Sequence, residues 1–322
     1  MTRSAGEPDR IRLGVSACLL GQEVRYDGGH KLDAYVVDTL GRYVEWVPVC
    51  PEVEMGLGVP REPLRLVGDP AAPRLVTVRS GIDHTEAMRR WARERVAALR
   101  ALDLDGYLFK SQSPSCGLAR VRVYTEAGVP SRSGPGLFAR LLTEAWPDLV
   151  VEEEVRLRDP ALREAFVVSV FTRHRWRRLL GGPRRPGDLV AFHARHKLLL
   201  MAHSEPHLRA LGRLVARVGA AASADHFRQY AQGLFAGLRV RATVRKHTNV
   251  LQHIAGHLRE RLDRRDREEL HATIADYRRG LVPLIVPITL VRHHVGRLGL
   301  GYLQDQVYLD PHPKELMLLN HV

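Results

Sequence analysis

Leu13-Gly-Val-Ser-Ala-Cys18 is a short apolar run that ends on a cysteine. The pattern recurs at Val44-Glu-Trp-Val-Pro-Val-Cys50 and, with a longer tail, at Gly106-Tyr-Leu-Phe-Lys-Ser-Gln-Ser-Pro-Ser-Cys116. Each run reads as a β-strand bounded by turn residues. Between them lies helical periodicity, clearest over residues 84–102, where Met88, Trp91, Ala92, Val96 and Leu99 form one apolar stripe. Strands alternating with helices predict an α/β domain with a mostly parallel sheet. In such a sheet the carboxyl ends of neighbouring strands open onto one crevice, where ligands bind. Three thiols distant in sequence are thereby expected to meet. Three thiolates form an incomplete tetrahedral set, which suits a metal centre that keeps one position open for chemistry.

Working outward, residues 11–17 and 43–49 are predicted strands, and 34–40 a short helix. Residues 64–67 and 75–78 form a predicted hairpin, 106–109 and 121–125 further strands, 137–145 a helix, and 149–155 the closing segment. From Asp159 the pattern becomes helical throughout, with segments predicted near 160–180, 188–203, 206–218, 223–239, 241–258, 263–279 and 283–298. Asp159, Asp188, Ser204, Asp225 and Asp263 are the expected N-caps, and Pro160 suits a first helical turn. The chain therefore divides into an α/β domain over 1–158 and an all-α domain over 159–322.

Composition supports two modules of different character. Residues 1–160 carry 22 Lys and Arg against 23 Asp and Glu, whereas residues 161–322 carry 27 against 13. Of 16 histidines, only His30 and His84 lie in the first half. Such asymmetry predicts a neutral module joined to one that binds a polyanion, with nucleic acid the expected partner. Exchange of Lys for Arg on solvated faces would not unbalance acids and bases in one half alone. The start of the chain does not read as a signal peptide. Its most apolar window, 280–291, is too short for a bilayer, and three cysteines make no disulfide framework. A cytoplasmic protein without membrane attachment is expected, of open oligomeric state.

The cysteines are 32 and 66 residues apart and form no Cys-x-x-Cys pair, which excludes zinc ribbons, thioredoxin motifs and compact ferredoxin loops. Taken alone, they read either as three unrelated buried thiols or as a metal site. The flanking Pro and Gly residues favour loops that wrap a ligand. Cys18-Leu-Leu-Gly21 with Val24-Arg-Tyr-Asp-Gly-Gly-His-Lys31, Cys50-Pro-Glu-Val-Glu54, and Lys110-Ser-Gln-Ser-Pro-Ser-Cys-Gly117 together resemble the thiouracil desulfidase family across residues 11–158. Phe192-His-Ala-Arg-His-Lys197 and His247-Thr-Asn-Val-Leu-Gln-His253-Ile-Ala-Gly-His257 resemble, more loosely, the helical domain fused to that unit in tRNA 4-thiouridine desulfidases.

The resemblance implies a 4Fe–4S cluster on Cys18, Cys50 and Cys116, with one iron free of protein ligands. It further implies conversion of 4-thiouridine in tRNA to uridine and sulfide. A thiocarbonyl sulfur is soft and suits iron better than oxygen donors do; hydrolysis at the polarised carbon needs no net redox change. Glu52, two residues after Cys50, is the expected general acid/base, although a carboxylate there also suits a helix cap. Ser113 is expected to orient water or substrate, although a serine before proline also suits a plain turn. Glu54, Asp27, Lys31 and Lys110 are secondary candidates for base recognition or cluster tuning.

In the basic half, Arg195, Lys197, Arg245 and Lys246 are expected to contact phosphates, extended by arginines near 173–185. Histidines at helical spacing, among them His193, His196, His203, His253 and His257, also allow a zinc site, but no metalloprotease-like carboxylate pattern supports one. Two further functions remain open: desulfidation of free thiouracil-type bases, and a nucleic-acid-binding redox sensor.

Overall fold

The computed structural model describes residues 10–125, 127–218 and 223–321. The chain separates into two compact units, Met1–Arg158 and Asp159–Val322.

In the first unit, β1 (Ile11–Ser16), β2 (Val44–Val49), β5 (Gly106–Phe109) and β8 (Val151–Glu153) form one sheet in the order β2-β1-β5-β8. Every pairing in it is parallel. The remaining strands, β3 (Leu64–Val67), β4 (Arg74–Thr77), β6 (Val121–Tyr124) and β7 (Pro130–Gly134), make a second, mixed sheet in the order β4-β3-β6-β7. The parallel sheet bears out the sequence reading, as do the β3–β4 hairpin and the strand β6; the grouping of these strands into a separate sheet and the strand β7 had no signature in the sequence. From β1 the chain moves first to β2 on one side and later to β5 on the other. The strand order therefore reverses at β1, and the carboxyl end of β1 is the switch point where such sheets bind ligands.

Strand and helix faces interlock as the apolar pattern requires. The helix α2 (Thr85–Ala101) buries Met88, Ala92, Val96 and Leu99, while Trp91 packs at the margin of the same core. Trp91 meets Phe138 of α3 (Leu137–Ala145) with ring centroids 5.2 Å apart, and Phe138 meets Tyr107 of β5 at 5.9 Å. Each such large side chain contributes about 2 kcal/mol by leaving water. Gly14 makes room for this arrangement: a Cβ there would lie 2.2 Å from Cδ2 of the Tyr107 ring. The expected helix at 34–40 is instead a π-helical turn, Tyr35–Thr39, followed by a 3₁₀ turn, Leu40–Arg42.

The second unit is helical: α4 (Pro160–Leu180), α5 (Pro186–His203), α6 (Glu205–Ala216), α7 (Ala224–Leu238), α8 (Val244–Leu258), α9 (Arg264–Arg278), α10 (Ile285–Arg297) and the short α11 (Gly301–Gln304). Several 3₁₀ turns follow, starting with Val307–Leu309. Asp159 and Asp263 cap α4 and α9 as expected, accepting backbone N–H bonds. Two expected caps sit deeper in their helices. The N-cap of α5 is Arg185, with Asp188 reaching back to its N–H at 2.9 Å; Pro186 starts the helix earlier because it needs no donor there. Ser223 caps α7, leaving Asp225 in the first turn paired with Arg228. Ser204 occupies the N-cap of α6, but its hydroxyl lies 2.7 Å from His207 Nδ1 and caps no backbone group. Trp176, Phe192 and Tyr230 form the aromatic centre of this unit. Among the described residues no helix is long and apolar enough to cross a membrane.

Candidate metal centre

All three cysteines lie beyond strand ends at the switch point. Cys18 sits in a 3₁₀ turn, Ala17–Leu20, directly after β1. Gly21 ends that turn at φ +85°, and the Cys18 carbonyl accepts the N–H of Lys31 at 2.9 Å. Cys50 follows β2 and precedes the single-turn helix α1 (Pro51–Glu54). Its N–H donates to Glu54 Oε1 at 3.1 Å, and Glu54 also pairs with Arg95 at 3.0 Å. Glu54 is thus committed to holding the Cys50 loop.

Cys116 ends the loop that leaves β5, and two consecutive glutamates clamp this region: Glu153, the last residue of β8, and Glu154, the first of the 3₁₀ turn that follows it. Glu153 Oε1 accepts the N–H of Leu118 at 2.8 Å and of Ala119 at 3.3 Å. Glu154 accepts the Ser111 N–H at 2.7 Å and its hydroxyl at 2.8 Å, and pairs with Lys110 Nζ. Gly117 is required by close packing, since a Cβ there would lie 2.9 Å from the Ser113 carbonyl oxygen and 2.3 Å from Val121.

The three thiols open into one cavity of about 310 Å³, within the range of small-molecule sites. Glu52, Ser113, Lys31 and Lys110 line it as well, together with Arg25 and Arg61. Asp27 is not among the lining residues; it pairs with Arg25 and accepts the Gly29 N–H at 3.1 Å. Among the described residues no three His, Cys, Asp or Glu side chains are grouped to hold a single metal ion. The thiols are spread over the cavity wall on three separate loops.

Burial pushes the Cys18 thiol up to about 11, with neighbouring Cys50 adding to the shift. Burial likewise raises Cys50 and carries Cys116 well above the usual thiol range, although Ser16 hydrogen-bonds its sulfur. Left alone, these groups stay protonated; a bound metal supplies the charge that makes them thiolates, with release of protons.

Glu52 is held from two sides. Arg61 donates to Oε2 from Nη2 at 2.6 Å and Nε at 2.9 Å, and Ser115 Oγ donates to Oε1 at 2.9 Å. Arg61 is anchored in turn by the carbonyls of Val24 at 2.9 Å and Gly58 at 3.0 Å. Arg61 thus grips one carboxylate oxygen with two N–H groups while Ser115 holds the other, and together they fix the orientation of the carboxylate. Neither Arg61 nor Ser115 carried a sequence signal, because their partners are 9 and 63 residues away. Ser113 Oγ accepts the N–H of Cys116 at 3.1 Å and of Ser115 at 3.3 Å. It therefore shapes the turn while also facing the cavity.

In the second unit, Arg195 and Lys197 are exposed on α5 and Arg245 on α8. Lys246 instead donates to the carbonyls of His203 and Arg241, both at 2.7 Å, closing the end of α5. The α5 histidines are core residues whose Nδ1 atoms are engaged: His193 with Tyr230, His196 with the Phe192 carbonyl and His203 with the Val240 carbonyl. Exposed His253 and His257 approach each other at 3.3 Å and form only a pair.

Fold and cavity together define an α/β unit with a thiol-lined site at its switch point. Residues 13–154 match the family described as 2-thiouracil desulfurase, and residues 197–313 match DUF1722, described as a protein of unknown function. The chain is 33% identical over 156 residues, 48% of its length, to the uncharacterized protein YbgA of Escherichia coli (strain K12), covering 92% of that protein. It is 30% identical over 146 residues, 44% of its length, to the uncharacterized protein YbbK of Bacillus subtilis (strain 168), covering 95% of that protein. A solved structure of the 4Fe–4S-dependent thiouracil desulfidase TudS shares 35% identity at a TM-score of 0.40, covering 48% of this chain and 99% of that one. The chain belongs, through its first unit, to the 2-thiouracil desulfurase family.

Proposed function

We propose that the protein is a desulfidase that converts 4-thiouridine in tRNA to uridine, using a 4Fe–4S cluster held by Cys18, Cys50 and Cys116. One observation carries this reading: three thiols and a fixed carboxylate share a single cavity within the region that matches the desulfurase family. The donor set fits such a cluster, since thiolates are its usual protein ligands. With only three cysteines in the chain, one iron is left without a thiolate. When bound, the cluster supplies a soft Lewis-acid iron suited to thiocarbonyl sulfur.

The net reaction exchanges a thiocarbonyl and water for a carbonyl and hydrogen sulfide, with no oxidant or reductant. Glu52 moves the proton between the attacking water and the departing sulfur. Arg61 and Ser115 keep its carboxylate oriented so that little reorganisation accompanies the transfer. Arg25, Lys31 and Lys110 also line the cavity, Arg25 paired with Asp27 and Lys110 with Glu154. The basic helical unit supplies sequence-independent phosphate contacts, offsetting the few kcal/mol needed to unstack a base. A cavity of about 310 Å³ also accommodates a single free base, which favours free thiouracil as the second reading.

Protein purified without oxygen should contain iron and sulfide and should lower the 4-thiouridine content of thiolated tRNA, measured by nucleoside analysis. Cys18→Ala, Cys50→Ala and Cys116→Ala should each abolish both cluster and turnover; activity surviving any one of them excludes the three-ligand scheme. Turnover of free 2- or 4-thiouracil without turnover of tRNA favours the second reading. Iron-loaded protein that binds tRNA but desulfurates neither substrate is a sensor.

A further inference from the structure

The second unit holds a cavity of about 730 Å³ bounded by α4, α5 and the segment that follows α11. Arg175 and Arg178 reach it from α4; Phe192, Arg195 and His196 reach it from α5; Asp305 and Asp188, the latter accepting the Arg185 N–H, also line it. Its volume matches pockets that take small organic ligands. Arg175 Nη2 donates to the Pro311 carbonyl at 2.7 Å, while its Nη1 is buried without a protein partner. An unmet buried donor costs about 1–3 kcal/mol, so an arriving acceptor is rewarded.

His196 contributes the opposite need. Its ring stacks on Phe192 with centroids 3.8 Å apart, and its Nδ1 lies 2.7 Å from the Phe192 carbonyl. A carbonyl only accepts, so Nδ1 carries the proton and Nε2 of the neutral ring is an acceptor. Burial, pushing the imidazole down to about 3, keeps the ring neutral. That Nε2 is also buried without a partner. The cavity thus combines three guanidinium groups and two carboxylates, Asp188 and Asp305, with one unmet acceptor and an apolar wall. A ligand that suits this set carries both an anionic group and a hydroxyl or N–H donor.

We propose that this cavity binds a nucleotide, its phosphate against Arg175, Arg178 and Arg195 and a ribose hydroxyl or base N–H at His196 Nε2. The phosphate belongs either to a free nucleotide or to an RNA chain. The assignment stands on the second unit alone and is independent of the chemistry at the cysteines.

The full-length protein is titrated with UMP by calorimetry and with tRNA by fluorescence anisotropy. Arg195→Gln, at an exposed position on α5, should weaken binding about tenfold, the loss of one charge-assisted contact. Asp305→Asn removes a carboxylate from the wall and should tighten it. Arg265→Gln, an equal charge change at an exposed position on α9, should leave it unchanged. This pattern with UMP identifies a free nucleotide, and the pattern with tRNA alone identifies an RNA phosphate. Equal losses in Arg195→Gln and Arg265→Gln, or no probe sensitive to Arg195→Gln, overturn the assignment. In that event tRNA binding that persists leaves the RNA-binding reading intact. UMP binding with the expected pattern but no tRNA binding has the converse meaning.

Discussion

Glu52 and Ser113 show how differently two residues beside a cysteine can be used. Both were legible as candidates from their spacing to Cys50 and Cys116, and both line the cavity. Glu52 is held by Arg61 and Ser115 and has no part in capping the cysteine loop, a task that falls to Glu54. Ser113 spends its hydroxyl on two backbone N–H groups of its own turn. Glu52→Gln keeps the size and most of the hydrogen bonds but cannot shuttle the proton. It should retain iron at the wild-type level and lose turnover by about 100-fold or more. Loss of iron together with activity would assign Glu52 to holding the cluster site together instead. Arg61 and Ser115 were invisible in the sequence because nothing local marks a side chain whose partner comes from another loop.

At the scale of elements, the strands that lead to the cysteines were readable because apolar runs bounded by Pro and Gly are a strong local signal. The division into two sheets was not, because β3, β4, β6 and β7 are four or five residues long and their partners are set by tertiary packing. The N-caps of α5 and α7 lie three and two residues before the expected Asp188 and Asp225, because Pro186 starts α5 early and the Ser223 hydroxyl takes over at α7. The Cys116 loop illustrates how tightly an element is bound to its site. Gly117→Ala would place a methyl group against the backbone at Ser113 and against Val121. The expected result is a drop in iron content with little change in the helical circular-dichroism signal. Gly58→Ala serves as the control, because a Cβ there meets nothing within 4 Å. Equal iron content in the two variants would show that the loop yields without cost.

Across the whole molecule, the charge and histidine asymmetry seen in the sequence becomes a difference in how the helical unit responds to acid. Burial lowers His196 and His247 from an ordinary value of 6.5 to about 3 each. Between those limits the unfolded chain binds more protons than the folded one, so stability rises with pH and falls on acidification below about 6.5. The slope is up to about 1.4 kcal/mol per pH unit for each histidine. The urea midpoint of the helical signal should therefore fall clearly between pH 7 and pH 5, and less so in His247→Gln. An unchanged slope in that variant would mean that His247 stays neutral when unfolded or charged when folded.

The clamp that Glu153 and Glu154 place on the Cys116 loop also sets a timetable. Cys18, Cys50 and Cys116 emerge from the ribosome in that order, but Glu153 and Glu154, which pin the last loop, emerge some forty residues after Cys116. A nascent chain thus displays every thiol well before it has the groups that arrange the last of them. A fragment ending at residue 145 should contain all three cysteines yet retain no stable iron after desalting, whereas one ending at residue 158 should retain it. The thiols are written early in the first unit, and the residues that pin the last of them are written at its end.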